Sequence, residues 1–389
     1  MSIYLDNSAT TKICSEALRK YVEVSENDFG NPSSLHAMGF SAEKLLDEAR
    51  KEVLTSLKDT ASRVIFTASG SEANNLAIMG RAFAKERYRK GAKIITTDGE
   101  HASVSSPLSK LRELGYKIVN ISTRGGTIDL EQLKSELTPD VILVTVMMVN
   151  NETGALYDTA AVKQLMKAAC PDAYLHVDAT QSYMKLPFTK KSCGADMITV
   201  SSHKIEGPKG VGALVVDPSV IKARGLSPII MGGGQEMGLR SGTENVPAIA
   251  SFGEAVRQAS GNLSAHFEKL SSLREYLVEK LSTLPALSDI SITNPPSHAP
   301  HILNVTLPSI KSETMLHYLS SMGIFVSSGS ACSSNSSHVS SALIAYGRTA
   351  AEADCSLRIS FSHRNEMSDV DALCDALAAG ITKLARIKK

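Results

Sequence analysis

The sequence carries no excess of charge of either sign: 41 Lys and Arg stand against 40 Asp and Glu, a net of +1. So balanced a chain lacks the basic footprint of a general nucleic-acid binder, and no direct nucleic-acid contact is expected. A long apolar run is missing too. The best stretch, Val141 to Val149, is nine residues interrupted by Thr145, whereas a bilayer span needs about 20. Met1-Ser2-Ile3-Tyr4-Leu5-Asp6 has no basic segment leading into an apolar one, the mark of a secretory leader. A soluble, cytoplasmic protein without membrane attachment is expected. The six cysteines, at 14, 170, 193, 332, 355 and 374, form no C-x-x-C pair and no Cys/His cluster at metal spacing, so no metal site is expected. Thiols stay reduced in such a compartment, which makes a conspicuous cysteine a candidate for chemistry rather than a cross-link.

What is present is an ordinary globular composition, 43% hydrophobic and 21% charged, over 389 residues. That excludes a disordered chain, a coiled coil and a collagen-like repeat, and suggests a large domain with a smaller partner. Short apolar runs alternate with helical periodicity through the first two thirds. Strands are expected at 64–67, 93–96, 117–121, 141–149, 173–177, 196–200 and 211–216, with helices over 71–90, 103–114 and 159–169. Near-continuous apolar strands separated by helices imply a mostly parallel sheet flanked by helices on both faces. The run at 211–216 is open to antiparallel pairing. Beyond residue 246 come one or two long helices to 284, with a break at Gly261-Asn262. Strands at 289–293, 302–306, 324–326 and 357–361 then alternate with helices over 312–322 and 367–386, an α+β unit. From 327 to 341, nine of fifteen residues are serine, with Cys332 in the middle, a composition that favours a mobile segment or a solvated linker.

The candidate chemistry sits where strands end, the place at which open α/β sheets bind ligands. Ser201-Ser202-His203-Lys204 follows the strand at 196–200: Lys204 is either a Schiff-base former or a solvated tether, and Ser201 and His203 are suited to a phosphate. Asp178, in His176-Val177-Asp178-Ala179-Thr180-Gln181, reads equally as a helix cap and as the partner of a cationic cofactor ring nitrogen. Thr67-Ala68-Ser69-Gly70-Ser71-Glu72-Ala73-Asn74-Asn75 turns from strand to helix through small residues, a phosphate cradle or simple capping. His101 reads as a ring that stacks on a planar cofactor or as a satisfied loop histidine. Asn150-Asn151 and Arg240-Ser241-Gly242-Thr243 add further polar turns. Five such turns in one α/β unit are hard to explain by capping alone, and point to a phosphate-bearing cofactor.

Taken in order, Tyr4 to Thr11, Gly30-Asn31-Pro32-Ser33-Ser34, His176 to Gln181, Ser202 to Ile205, Gly207 to Gly210, Arg240 to Thr243 and Ser327-Ser328-Gly329-Ser330-Ala331-Cys332 resemble the pyridoxal phosphate (PLP)-dependent cysteine desulfurases of the NifS/IscS type. Those belong to the class V aminotransferases of PLP fold type I, the aspartate aminotransferase-like α/β fold. The likeness runs to about Arg364. It implies an N-terminal segment 1–15 packing with the small domain, a large PLP-binding domain 16–258, and a small C-terminal domain 259–389 carrying the catalytic cysteine loop 327–341. It implies that Lys204 binds PLP as a Schiff base, Asp178 pairs with the ring nitrogen, Gln181 with the ring oxygen, and His101 stacks on the ring. Gly70, Ser71, Ser201 and His203 would hold the phosphate, joined by Thr243 from the second subunit of a homodimer. Asn151 and Arg358 would hold the substrate carboxylate, and Cys332 would take the sulfur as a persulfide. The implied reaction turns L-cysteine into L-alanine. The sulfur would then pass to a protein acceptor, an iron–sulfur scaffold or a tRNA-thiolation enzyme.

The chain departs from the family pattern at Ser69-Gly70-Ser71, where many relatives have Gly-Ala-Thr, and at Glu206, a carboxylate expected close to the phosphate site. It ends at Lys389, where relatives that dock an iron–sulfur scaffold often carry a longer tail. The competing expectations are a selenocysteine lyase or another PLP-dependent C–S lyase of the same fold, and a non-catalytic partner protein.

Overall fold

The computed structural model of the chain describes residues 2–84, 92–328 and 339–387. Its thirteen described strands are β1 (Ile3–Tyr4), β2 (Arg63–Thr67), β3 (Lys93–Thr97), β4 (Lys117–Ile121), β5 (Val141–Met147), β6 (Tyr174–Asp178), β7 (Met197–Ser201), β8 (Gly212–Val216), β9 (Ser291–Thr293), β10 (Ile302–Thr306), β11 (Ile324–Phe325), β12 (Ser327–Ser328) and β13 (Ser356–Ser360).

A seven-stranded sheet forms the centre, in the order β2-β8-β7-β6-β5-β3-β4. β8 runs antiparallel to both of its neighbours and the other pairings are parallel, so the strand at 211–216 is the antiparallel one. Every residue of β5 is buried, as an apolar strand covered on both faces must be. Side chains alternate between two cores. Val64 and Phe66 face the helices Ser15–Asn27, Ala37–Ser56 and Val246–Gly261, while Ile65 faces the helices Gly70–Ala82 and Ala102–Glu113. Close packing on the first face depends on Gly253, where an added Cβ would lie 2.8 Å from Ala49 Cα.

The second sheet, β12-β13-β10-β9, is antiparallel. With the helices Leu263–Thr283, Ser312–Ser321 and Met367–Ile387 it encloses a separate apolar core around Leu303, Leu357, Ile359 and Phe361. Leu5 belongs to this core, and β1 pairs in parallel with β11. The first residues of the chain are thereby tied to its last third.

Several elements differ from the sequence expectations. The helix expected over 71–90 starts at Gly70 and ends at Ala82. The break at Gly261-Asn262 is present, between the helices Val246–Gly261 and Leu263–Thr283. The helices Ser15–Asn27, Ala37–Ser56, Ser341–Tyr346 and Ala350–Asp354 were not anticipated; the last two are short and begin in serine- and threonine-capped turns. The first residues of the serine-rich stretch pair with β13, Ser327 opposite Arg358. Cys332 and the rest of that stretch to residue 338 lie outside the described residues. Among the described residues no helix is long and apolar enough to cross a membrane.

Candidate active site

The strand ends anticipated from sequence converge. Gly70, Ser71, His101, Asn151, Asp178, Gln181, Ser201, His203, Lys204 and Arg358 all line one cavity of about 270 Å³ at the carboxyl ends of β5, β6 and β7. Three hollows are larger, about 330, 510 and 530 Å³, yet none gathers these groups. Thr243 is exposed and does not line the cavity of its own chain. The role that the resemblance gives it requires a second subunit.

Each group has a local reason for its place. Asp178 ends β6 and is only 5% exposed. Its Oδ1 accepts from the Thr180 backbone N–H at 2.9 Å, and its Oδ2 from Asn74 Nδ2 at 2.7 Å. These bonds orient a buried carboxylate at the cavity wall that has no ion-pair partner among the described residues, an arrangement that suits a positively charged partner. Behind it His176 is fully buried, bonded through Nδ1 to Thr145 Oγ1 at 2.8 Å and through Nε2 to Thr199 Oγ1 at 2.9 Å. Lys204 follows β7 in a short helical turn. Its Nζ donates to the carbonyls of Ser8 at 2.6 Å and Ala9 at 2.7 Å. Gln181 Nε2 donates to the same Ser8 carbonyl at 3.0 Å, so the N-terminal segment forms one wall.

The phosphate cradle has the local build that an anion needs. Ser69 caps the helix Gly70–Ala82, its hydroxyl accepting from the Glu72 N–H at 3.1 Å, and the helix's positive end faces the cavity. A Cβ on Gly70 would sit 3.1 Å from Ser201 Cβ and 3.3 Å from Thr180 Oγ1, so the space exists because residue 70 is glycine. His203 Nδ1 lies 3.1 Å from Thr10 Oγ1. Burial, with Lys204 and Lys209 nearby, pulls its ring down to about 4, so it enters neutral chemistry uncharged.

His101 caps the helix Ala102–Glu113; its Nδ1 accepts from the Ser103 backbone N–H at 3.1 Å and lies 2.9 Å from Ser103 Oγ. Burial holds the ring below the usual histidine range, against the pull of Asp178. Arg358, on β13, donates through Nη1 to the Asn151 carbonyl at 3.0 Å and pairs through Nη2 with Asp6 at 2.8 Å. A guanidinium thus enters the cavity from the second sheet, oriented by two partners.

Glu206 is not near the phosphate cradle, contrary to the sequence expectation. It sits two residues past Lys204 with φ +63° and turns away from the cavity. Its carboxylate meets Arg364 and His363 Nδ1, the latter at 3.3 Å. Its backbone N–H donates to Thr11 Oγ1 at 2.7 Å, and its carbonyl accepts from the Cys14 N–H at 2.9 Å.

Ser8, Ala9, Ser69, Ser103, Met147, Val149 and Thr180 also line the cavity and were given no role from sequence. Ser8, Ala9 and Thr180 lay within stretches singled out by their likeness to the family. Ser103 carried no such signal. None of the five described cysteines lines the cavity, and Cys14, Cys170, Cys193 and Cys374 are buried, with burial pushing their thiols up.

Comparison with known proteins agrees with this geometry. The aminotransferase class-V family matches residues 3–373. A protein of Archaeoglobus fulgidus named cysteine desulfurase IscS 1 is 35% identical over 98% of this chain and 97% of its own. A solved NifS-like protein superposes with a TM-score of 0.90 at 31% identity, covering 98% of this chain and all of its own. A second structure, described as SspA in complex with cysteine, has a TM-score of 0.80 at 30% identity over 94% of this chain and all of its own. Family, relatives and strand-end cavity agree: the chain belongs to the aminotransferase class-V family, among the NifS/IscS-type proteins.

Proposed function

We propose that this chain is a cysteine desulfurase that uses PLP, converts L-cysteine to L-alanine and moves the sulfur onto its own Cys332. The observation that carries the reading is the meeting of Lys204, Asp178, the Gly70–Ser71 cradle, His101 and Arg358 around one cavity.

These residues fit PLP: an amine, a buried carboxylate for a pyridinium nitrogen, and a glycine-lined helix end for a phosphate. When bound, PLP supplies an electron sink that lets the bonds of an amino acid break next to the α-carbon. Lys204 is the one amine side chain among the described lining residues. It anchors the cofactor and moves a proton at the substrate Cα. Asp178 would hold the ring nitrogen as its charged partner, Gln181 would serve the ring oxygen and His101 would lie against the ring. Ser201, His203, Ser71 and the Gly70 backbone hold the phosphate, with Thr243 of a second subunit of a homodimer. Arg358, fixed by Asp6, takes the substrate carboxylate in a charge-assisted pair, with Asn151 beside it. Cys332 attacks the substrate sulfur as the thiolate. Its S–S bond forms as the substrate C–S bond breaks, so cysteine plus thiol become alanine plus persulfide with no other oxidant. The persulfide passes to a protein acceptor, an iron–sulfur scaffold or a tRNA-thiolation enzyme. The N-terminal segment and the second sheet act together as a small domain against the large one.

The test is incubation with L-cysteine and PLP followed by mass spectrometry of the Cys332 peptide. One added sulfur on that peptide, with alanine released, is expected. Alanine released undiminished by Cys332→Ala overturns the reading.

A further inference from the structure

Asn74 is buried one layer behind the cavity, on the helix Gly70–Ala82, and touches two groups of the site at once. It is not a cap, since Ser69 caps that helix. We infer that Asn74 is a positioning residue: it ties Asp178 to His101 through Ser103 and holds the Ser103 hydroxyl as a donor to the His101 ring.

The inference follows from counting hydrogens. An amide NH₂ has two hydrogens to give and accepts nothing. Asn74 Nδ2 lies 2.7 Å from Asp178 Oδ2 and 2.8 Å from Ser103 Oγ, so one hydrogen goes to each. The Ser103 hydroxyl has a single hydrogen. Its oxygen has two lone pairs, of which the Asn74 hydrogen takes one, and it lies 2.9 Å from His101 Nδ1. The Ser103 backbone N–H points at the same nitrogen, at 3.1 Å. A backbone N–H can only donate, so Nδ1 accepts and bears no proton, and the Ser103 hydroxyl donates to it as well; the neutral ring carries its proton on Nε2, on the side away from Ser103. Turning the amide over would set Asn74 Oδ1 against the Asp178 carboxylate, two acceptors with no proton between them. In the observed orientation Oδ1 is buried with no hydrogen-bond partner among the described residues. An unpaired buried acceptor is unfavourable, and it is tolerated here because both donors are required.

The consequence reaches both ends of the chain of bonds. At one end Asn74 donates to the Asp178 carboxylate and fixes its direction. At the other, protonating His101 at Nδ1 means breaking the hydroxyl bond that Asn74 enforces. Without Asn74 both lone pairs of the hydroxyl are open, so it turns and accepts more readily, and the charged ring is opposed less. Asp178, Lys204 and Arg358 are the charged groups that act on this ring, and none of them changes in the variants below.

The first measurement uses the full chain without added cofactor. Solid-state ¹⁵N spectra of histidine-labelled protein, with His101→Gln to assign the ring, read the tautomer and its titration. The wild type is expected to show a bare Nδ1 and a protonated Nε2 at neutral pH. Asn74→Leu and Ser103→Ala are expected to raise the protonation midpoint by about one pH unit, and Ser103→Thr, which keeps the hydroxyl, to restore it. A protonated Nδ1 in the wild type, or wild-type titration in both Asn74→Leu and Ser103→Ala, overturns the inference.

The second measurement rests on the proposed function. Asn74→Leu is expected to bind PLP about tenfold more weakly, as loss of a hydrogen bond to a charged group implies, whereas Ser103→Ala, which keeps the Asn74–Asp178 bond, binds as the wild type does. Equal affinity for Asn74→Leu and wild type overturns the Asp178 half. A wild type that binds no PLP counts against the proposed function, and the ring titration still decides the inference.

Discussion

Arg358 Nη2 lies 2.8 Å from Asp6 Oδ1, so a residue of the last strand is aimed by one of the first six residues. A buried guanidinium held by one carboxylate keeps both its direction and its availability, since the pair leaves donors for a second anion. Asp6→Asn keeps the shape and loses the charge. It is expected to raise KM for L-cysteine about tenfold while kcat changes by less than about twofold, because orientation of the bound carboxylate is lost before any step of the chemistry. Steady-state kinetics decide this, and a large fall in kcat at constant KM contradicts it.

Gly70 tests the phosphate cradle. A side chain there meets Ser201 Cβ at 3.1 Å, so Gly70→Val intrudes where the helix end faces the cavity. PLP affinity is expected to fall by at least about tenfold, whereas the cofactor-free protein loses only about 1–3 kcal/mol, the usual range for an overpacked site. Fluorescence titration with PLP and urea unfolding separate the two effects.

His176 predicts a pH dependence. Burial lowers its ring to about 4, from an ordinary 6.5. As pH falls below 6.5 the unfolded chain takes up a proton that the folded chain refuses until about pH 4. Stability therefore falls through that window and is level above it, by up to about 3 kcal/mol for this one group. His176→Leu is less stable at neutral pH, because Thr145 and Thr199 lose their partner, but its slope between pH 6.5 and 4 is shallower. Urea midpoints at pH 7 and 4.5 measure both, and equal slopes in the two proteins remove His176 from the account.

Glu206 joins the turn after Lys204 to the second sheet's side of the molecule. The partner Arg364 is 45% exposed, so the pair is partly screened and its loss is modest. Glu206→Gln is expected to cost about 1 kcal/mol at low salt and less at high salt. Thermal unfolding at two ionic strengths checks the sign, and a salt-independent loss shows that charge is not its cause.

The central sheet was legible because buried parallel strands leave a plain mark: β5 reads as an apolar run broken only by Thr145, and β6 and β7 end in Asp178 and Ser201. The polar turns after such strands could be picked out one at a time, and their likeness to a known family gave each a role. Length was less legible. The helix expected to run to residue 90 ends at Ala82, since apolar periodicity marks a buried face and not its end. The helices Ser15–Asn27 and Ala37–Ser56 escaped notice although they pack into the core on one face of the sheet. Glu206 was misplaced because adjacency in the chain to Lys204 suggested adjacency in space. A left-handed turn, φ +63°, sends the side chain the other way.

From residue order alone came the alternation of strands and helices, the identity of the groups at strand ends and the lone cysteine in a serine-rich stretch, because these are local patterns of side-chain chemistry. Only the folded chain decided that Ser8 and Ala9 wall the cavity, that Asp6 aims Arg358 across 352 residues, and that Asn74 stands between Asp178 and Ser103. Hydrogen-bond direction depends on which donors and acceptors are brought within about 3 Å of each other, and no local pattern carries that distance.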